Sequence, residues 1–264
     1  MNEVIRLPQA LEPYREALLA MRVPYIRVLS QAQAAASPWQ SKTGGMPYLP
    51  KGMEWPVSKE NNTPLFFLTQ LNFAEMPALD PFPRKGILQF FIGDDDLYGM
   101  NFDDGEDQVN FRVLYHPDPI NDPSALQDLP ELVEREFGDL PHHPDECYPL
   151  RFELAEMLLP ATDYRFNERF GADFFARFGA DEWDVLDEYA KSVDAQGHRV
   201  GGYAYFTQDD PRTPSDPMLL LFQLDSDQVM DLMWSDMGVG HFFIREQDLK
   251  DLRFDRVLYD WDAL

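Results

Sequence analysis

Residues 64–73 read PLFFLTQLNF and, after a Pro-rich turn, residues 86–92 read GILQFFI. Both are short apolar runs rich in Phe, Leu and Ile and bounded by turn residues, the pattern of strands buried on both faces. The pattern returns at residues 219–225 (LLLFQLD) and 233–244 (MWSDMGVGHFFI). Gln70 and Leu71 then match Gln223 and Leu224, while Phe90, Phe91 and Ile92 match Phe242, Phe243 and Ile244. The expected fold class is α+β: an internally duplicated chain of mostly antiparallel β-sheet modules with flanking helices.

Working outward, Gly44 and Gly45 open the first module as Gly201 and Gly202 open the second, and each module closes on the tetrapeptide RVLY, at residues 112–115 and 256–259. The modules are bounded at about 41–116 and 198–261. The stretch SKTGGMPYLPKGMEWP (41–56) holds too many Gly and Pro for a helix or a central strand. It reads as an irregular loop pinned by Tyr48 and Trp55. Residues 8–21 place Leu11, Tyr14, Leu18 and Met21 at helical spacing, and residues 23–29 read as a strand. The connector, 117–197, is of mixed character: a strand near 148–157 and helices over 162–180 and 181–193. All of this fits one domain spanning 1–264.

The 264 residues carry 22 Lys and Arg against 47 Asp and Glu, a formal net charge of −25. That sign repels phosphate backbones and anionic lipid, which argues against nucleic-acid and membrane partners and favours a basic protein partner. The lone Cys147 excludes an intrachain disulfide, no apolar run reaches the ~20 residues of a membrane helix, and the N-terminus lacks a secretory pattern, so a cytoplasmic location is expected.

Taken together in order, SKTGGMPYLPKGMEWP, PLFFLTQLNF, GILQFFI, the second Gly-Gly step, FQLD, MWSDMGVGHFFI and FDRVLYDWD resemble the YwqG-like family of bacterial proteins, a domain of unknown function. The resemblance runs from about Ser41 to Trp261. It implies a cytoplasmic α/β protein with duplicated, mostly β halves and helices packed around them, and it brings no mechanism.

Candidate chemistry is sparse. The acidic run GDDDLYGMNFDDGED (93–107) fails as an EF-hand: with Gly99 as the sixth position, Tyr98 falls at the fifth and Gly105 at the twelfth. It reads as a solvated insertion. His142, His143, Asp145, Glu146 and Cys147 are metal-ligand types, but no second ligand pair lies elsewhere. The Gly-Gly steps match neither a dinucleotide nor a P-loop motif and read as tight turns. No catalytic residue, metal site or cofactor is therefore assigned.

Polar residues within or beside the apolar strands are the exception, because a buried polar group persists only when something satisfies it. Gln70 and Gln89 in the first module, with Gln223, Asp225, Trp234, Asp236 and His241 in the second, form the tentative ligand-binding set. The leading functional expectation is a non-enzymatic binding or protein-interaction module with an acidic surface. The alternative is an enzyme or binder acting on a small polar or sugar-like ligand in a cleft near the second module, with Asp236 or Asp225 as acid or base beside His241.

Overall fold

In the computed structural model, residues 6–34, 36–129, 132, 138, 140–193 and 195–264 are described. The apolar runs become strands: β3 (Phe66–Asn72), β4 (Ile87–Ile92), β8 (Leu219–Asp225) and β9 (Val239–Ile244), every residue of β4 and β9 buried. With β1 (Val23–Ser30), β2 (Lys42–Gly44), β5 (Arg112–His116), β6 (Cys147–Met157), β7 (His198–Gly201) and β10 (Leu258–Asp262) they form one ten-stranded sheet. Its order is β10-β9-β8-β7-β1-β6-β2-β3-β4-β5, and the pairings between these neighbours are antiparallel. The architecture is α+β.

Outward from the central β1–β6 pair, each side presents a short strand ending on Gly-Gly and then three longer strands. Both sides carry a register shift in the strand after the short one, at Phe67/Thr69 and at Leu220/Phe222. The sheet curls until its two ends face each other, with the Phe90 ring 4.4 Å from Phe242 and 5.3 Å from Phe222. The main core fills this curl.

Two expectations are corrected by the register. Residues 42–44, inside the stretch read as an irregular loop, form β2 in the interior of the sheet. Three residues are too few to show periodicity, and the strand stops at Gly44 and Gly45, whose φ values of 68° and 66° lie in the left-handed region. A Cβ on Gly44 would sit 2.1 Å from the Glu146 carbonyl oxygen, so glycine is also required sterically. The RVLY repeats are also out of step. Arg112 pairs with Phe91, whereas Phe243, the match to Phe91, pairs with Leu258, and Arg256 lies in a 3-10 turn (Phe254–Arg256) ahead of β10. A slip of two residues keeps each side chain on its face, so Tyr115 and Tyr259 both still pack on the core.

The acidic insertion does more than extend into water. Asp94, Asp95, Asp96, Asp103 and Asp104 are exposed, but Tyr98 and Met100 are buried in the main core. Trp261 donates to Leu97 O (2.8 Å), Tyr259 N to Gly105 O (2.9 Å), and the Gln108 amide to Phe254 O (2.8 Å). The loop thus fastens the first-module end of the sheet to the second-module end.

Helices α1 (Arg15–Leu19), α2 (Tyr164–Phe170) and α3 (Glu182–Val193) build a second core with Tyr25, Met157 and Phe166, while α4 (Glu246–Lys250) follows β9. The helical pattern expected over 8–21 starts as a 3-10 helix (Gln9–Tyr14) containing Pro13, and the one expected over 162–180 breaks after Phe170, where Gly171 takes a φ of 90°. No helix among the described residues is long and apolar enough to cross a membrane.

Candidate binding groove

The strand glutamines find backbone partners. Gln70 accepts from Tyr48 N (2.8 Å) and donates to the carbonyls of Pro38 and Gln40 (both 2.8 Å). Gln223 accepts from Tyr205 N (2.8 Å) and donates to the carbonyls of Gly197 (2.6 Å) and Ala195 (3.3 Å). On the neighbouring strand, Gln89 donates to Tyr48 O (2.8 Å) as His241 Nε2 donates to Tyr205 O (2.6 Å). At each end of the sheet, one tyrosine of the covering loop is therefore gripped through both its N–H and its C=O.

Because a carbonyl can only accept, His241 carries its proton on Nε2. Nδ1 is buried without a hydrogen-bond partner among the described residues. Burial in this setting pushes the His241 pKa down to about 3, so the ring is neutral at pH 7.

At the second end the gripped backbone forms one wall of an open groove of about 580 Å³. The opposite wall is α3. Its acidic first turn, Glu182 and Asp184, and Lys191 in the last turn suit the helix dipole. Val185, Tyr189 and Val193 bury the inner face, and the Tyr189 hydroxyl donates to Leu159 O (2.7 Å). The flank with Leu186, Asp187, Ala190 and Lys191 is left to line the groove, across from Ala195, Gln196 and Tyr205. Gln223 and His241 do not line it; they hold Ala195 and Tyr205 in place.

Gln196 also lines a second, more polar hollow of about 420 Å³. There Ser30 Oγ (2.5 Å) and His198 Nε2 (3.0 Å) both donate to Asp227 Oδ2, and Val229 N donates to Oδ1 (2.6 Å). Burial alone would raise the Asp227 pKa, but these hydrogen bonds outweigh it and hold it at about 2. His198 Nδ1 accepts from Asp225 N (3.0 Å), which fixes the tautomer. The Ser30 hydroxyl points at the carboxylate, not at the imidazole, so the arrangement cannot relay a serine proton through His198 in the order nucleophilic catalysis requires.

The remaining members of the tentative set line neither hollow, although Asp225 bonds Gly197, His198 and Ser226, which line the second. Asp225 accepts from the backbone N–H of Gly197 (2.6 Å) and of Ser226 (2.9 Å), and burial raises its pKa. Trp234 is fully buried, edge-on to Tyr98 and stacked with Trp261. Asp236 is exposed in the turn between Trp234 and Gly238. Among the described residues no group of three or more His, Cys, Asp or Glu is placed to hold a metal ion. Within the HHPDEC stretch, both His142 nitrogens face backbone carbonyls and His143 is turned toward Asp231.

Sequence reading missed Ser30, His198 and Asp227, which converge from three separate segments and share no spacing. It also missed Trp183, which is exposed and stands with Leu186 and Ala190 at i, i+3 and i+7 on α3, a helical apolar stripe.

No curated protein compared with this chain matches it. A family model, Domain of unknown function (DUF1963), matches residues 41–263, which takes in both Gly-Gly steps, both gripped tyrosines and the loop wall of the groove, and the chain belongs to that family.

Proposed function

We propose that this chain is a non-enzymatic binding module of the bacterial cytoplasm, YwqG-like and built from two copies of one β unit, that takes a basic protein partner on an acidic surface. One observation carries the reading: the polar side chains within the strands support the loops over the sheet and do not converge on a reacting centre. Gln70 with Gln89 and Gln223 with His241 make corresponding bonds to Tyr48 and Tyr205, which supports descent of both halves from one unit. The charge of −25 supplies long-range attraction for a cationic partner. Immobilised protein incubated with a bacterial lysate is expected to capture basic proteins at low salt and release them at high salt. Recovery of nothing specific at either salt, or of acidic proteins only, refutes this reading. Fractionation of the native protein tests the location.

A second reading, a small polar or sugar-like ligand bound near the second half, is favoured by the 420 Å³ hollow, which Gln196 and Gln228 line beside the Asp227 carboxylate. A ligand held there raises the melting temperature by mass action, and a flat thermal-shift screen of saccharides and polyols removes the idea.

A further inference from the structure

We infer that the groove between α3 and the Ala195–Tyr205 wall is the docking surface for a short basic segment of a protein partner. This rests on the binding-module reading above and names where the partner sits. At 100° per residue, Trp183 falls in the middle of the arc spanned by Leu186, Asp187, Ala190 and Lys191, so its ring heads the stripe that lines the groove. Trp183 is 71% exposed. An exposed indole on the helix face that lines an open groove is an aromatic anchor of the kind that dominates interfaces. Asp184, Asp187 and Glu188 are exposed on the same helix against one exposed cation, Lys191, and this acidic excess favours a cationic occupant. A second copy of this chain, carrying the same charge of −25, is repelled.

The other end of the sheet indicates the occupant's form. Tyr48 is held as Tyr205 is, but the chain covers it with its own residues 120–127. Ile120 N donates to the Tyr48 hydroxyl (2.8 Å), and Gln127 N donates to Leu49 O (2.9 Å). Lys51 N donates to Ala125 O (2.8 Å), and Pro50 bridges to Leu126. At the second end, Tyr205 lines the open groove. Ile120, which lies across Trp39 and Tyr48 and leads into a 3-10 turn at Pro123–Ala125, fills in cis at one end the place that is left for a partner beside Gln196 and Tyr205 at the other.

The test uses the full chain and a peptide copying residues 117–127 with Asp118→Lys and Asp122→Lys, against a scrambled peptide of the same composition. Trp183 is the most exposed of the five tryptophans, so docking is expected to blue-shift the emission and protect it from acrylamide. Binding should saturate and weaken as salt is raised, and the scramble should bind at least ~10-fold more weakly. Ala190→Arg, at an exposed position, should weaken the peptide by ~10-fold or more. Trp183→Ala, followed by calorimetry, should do likewise and guards against misfolding of the first variant. Equal binding of peptide and scramble, or unchanged binding by both variants, overturns the docking site. If Ala190→Arg and Trp183→Ala still capture basic proteins in a salt-sensitive way, the groove proposal falls and the acidic-surface reading stands. Loss of that capture in the unaltered protein defeats both.

Discussion

Replacing Asp260 with Asn is expected to stabilise the protein, by more at alkaline than at acidic pH. Asp260 lies on β10 opposite His241, whose ring donates to Tyr205 O, with Asp262 and Asp210 nearby. Burial, reinforced by those two carboxylates, raises its pKa from 3.8 to about 7. The folded state thus keeps a proton that the unfolded chain releases near 3.8, and stability from this group falls as pH rises from about 4 and is at its lowest above about 7. Three pKa units at ~1.36 kcal/mol each give ~4 kcal/mol, and partial solvent access reduces this to ~2 kcal/mol at pH 8. Asn keeps the shape and removes the charge. For a chain of this size the expected gain is about 4–8 °C in melting temperature at pH 8 and roughly half that at pH 5.5, where the unfolded state still pulls on a protonated native carboxyl. Thermal unfolding at both pH values reads this directly. A variant no more stable at pH 8, or one that gains equally at both, shows that Asp260 is not held protonated by its surroundings.

Removing the tyrosine grips should cost the two ends alike. Gln70→Leu and Gln223→Leu each leave three backbone groups without their partner, worth ~3 kcal/mol or more in urea denaturation, and costs differing by more than about 2 kcal/mol would contradict a shared role. Gly44→Ala must accept both a left-handed φ and a 2.1 Å approach to Glu146 O, and should give little folded protein on expression, whereas Gly52→Ala, with nothing near its Cβ, should fold at a cost of ~1–2 kcal/mol from φ alone. His241→Gln places there the residue found at Gln89. His241 is depressed to about 3 in the folded state, so its contribution is intact above the unfolded value near 6.5 and is lost as pH falls below it. The variant should therefore lose ~2 kcal/mol less than the unaltered protein between pH 7 and pH 5, and identical pH slopes would refute the neutral, buried histidine.

The long strands were legible because runs such as PLFFLTQLNF and LLLFQLD leave no polar face to turn toward water. β2 and β7 were not, since three or four residues beside a Gly-Gly step carry no periodicity and gain their pairing from β6 and β1, which lie far off in sequence. The curl was equally hidden: the closeness of Phe90 and Phe242 depends on sheet twist and on the acidic insertion, whose exposed aspartates mask Tyr98 and Met100 beneath them. Gln70 and Gln223 stood out as polar groups in apolar strands, and that signal was sound as chemistry. Whether such a group meets a ligand or a backbone is decided by the covering loop, and the loop's path is not written in the strand.

The two ends differ in what lies beneath their covering loops. At the first end the strand opposite β4 brings Leu114 and His116 to the outer face, and His116 Nε2 pairs with Gln89 Oε1 of the side-chain amide (2.9 Å), a neutral contact. At the second end the register puts Asp260 and Asp262 in those places, and Asp262 Oδ2 accepts from Thr207 N (3.0 Å) and Gln208 N (2.9 Å) of the loop beyond Tyr205. Burial raises the pKa of Asp225 and Asp262 as it does that of Asp260. The second loop is therefore held by a buried carboxylate, Asp262, in addition to the Gln223 and His241 contacts, whereas at the first end the corresponding place is taken by His116, which bonds the supporting Gln89 and not the loop.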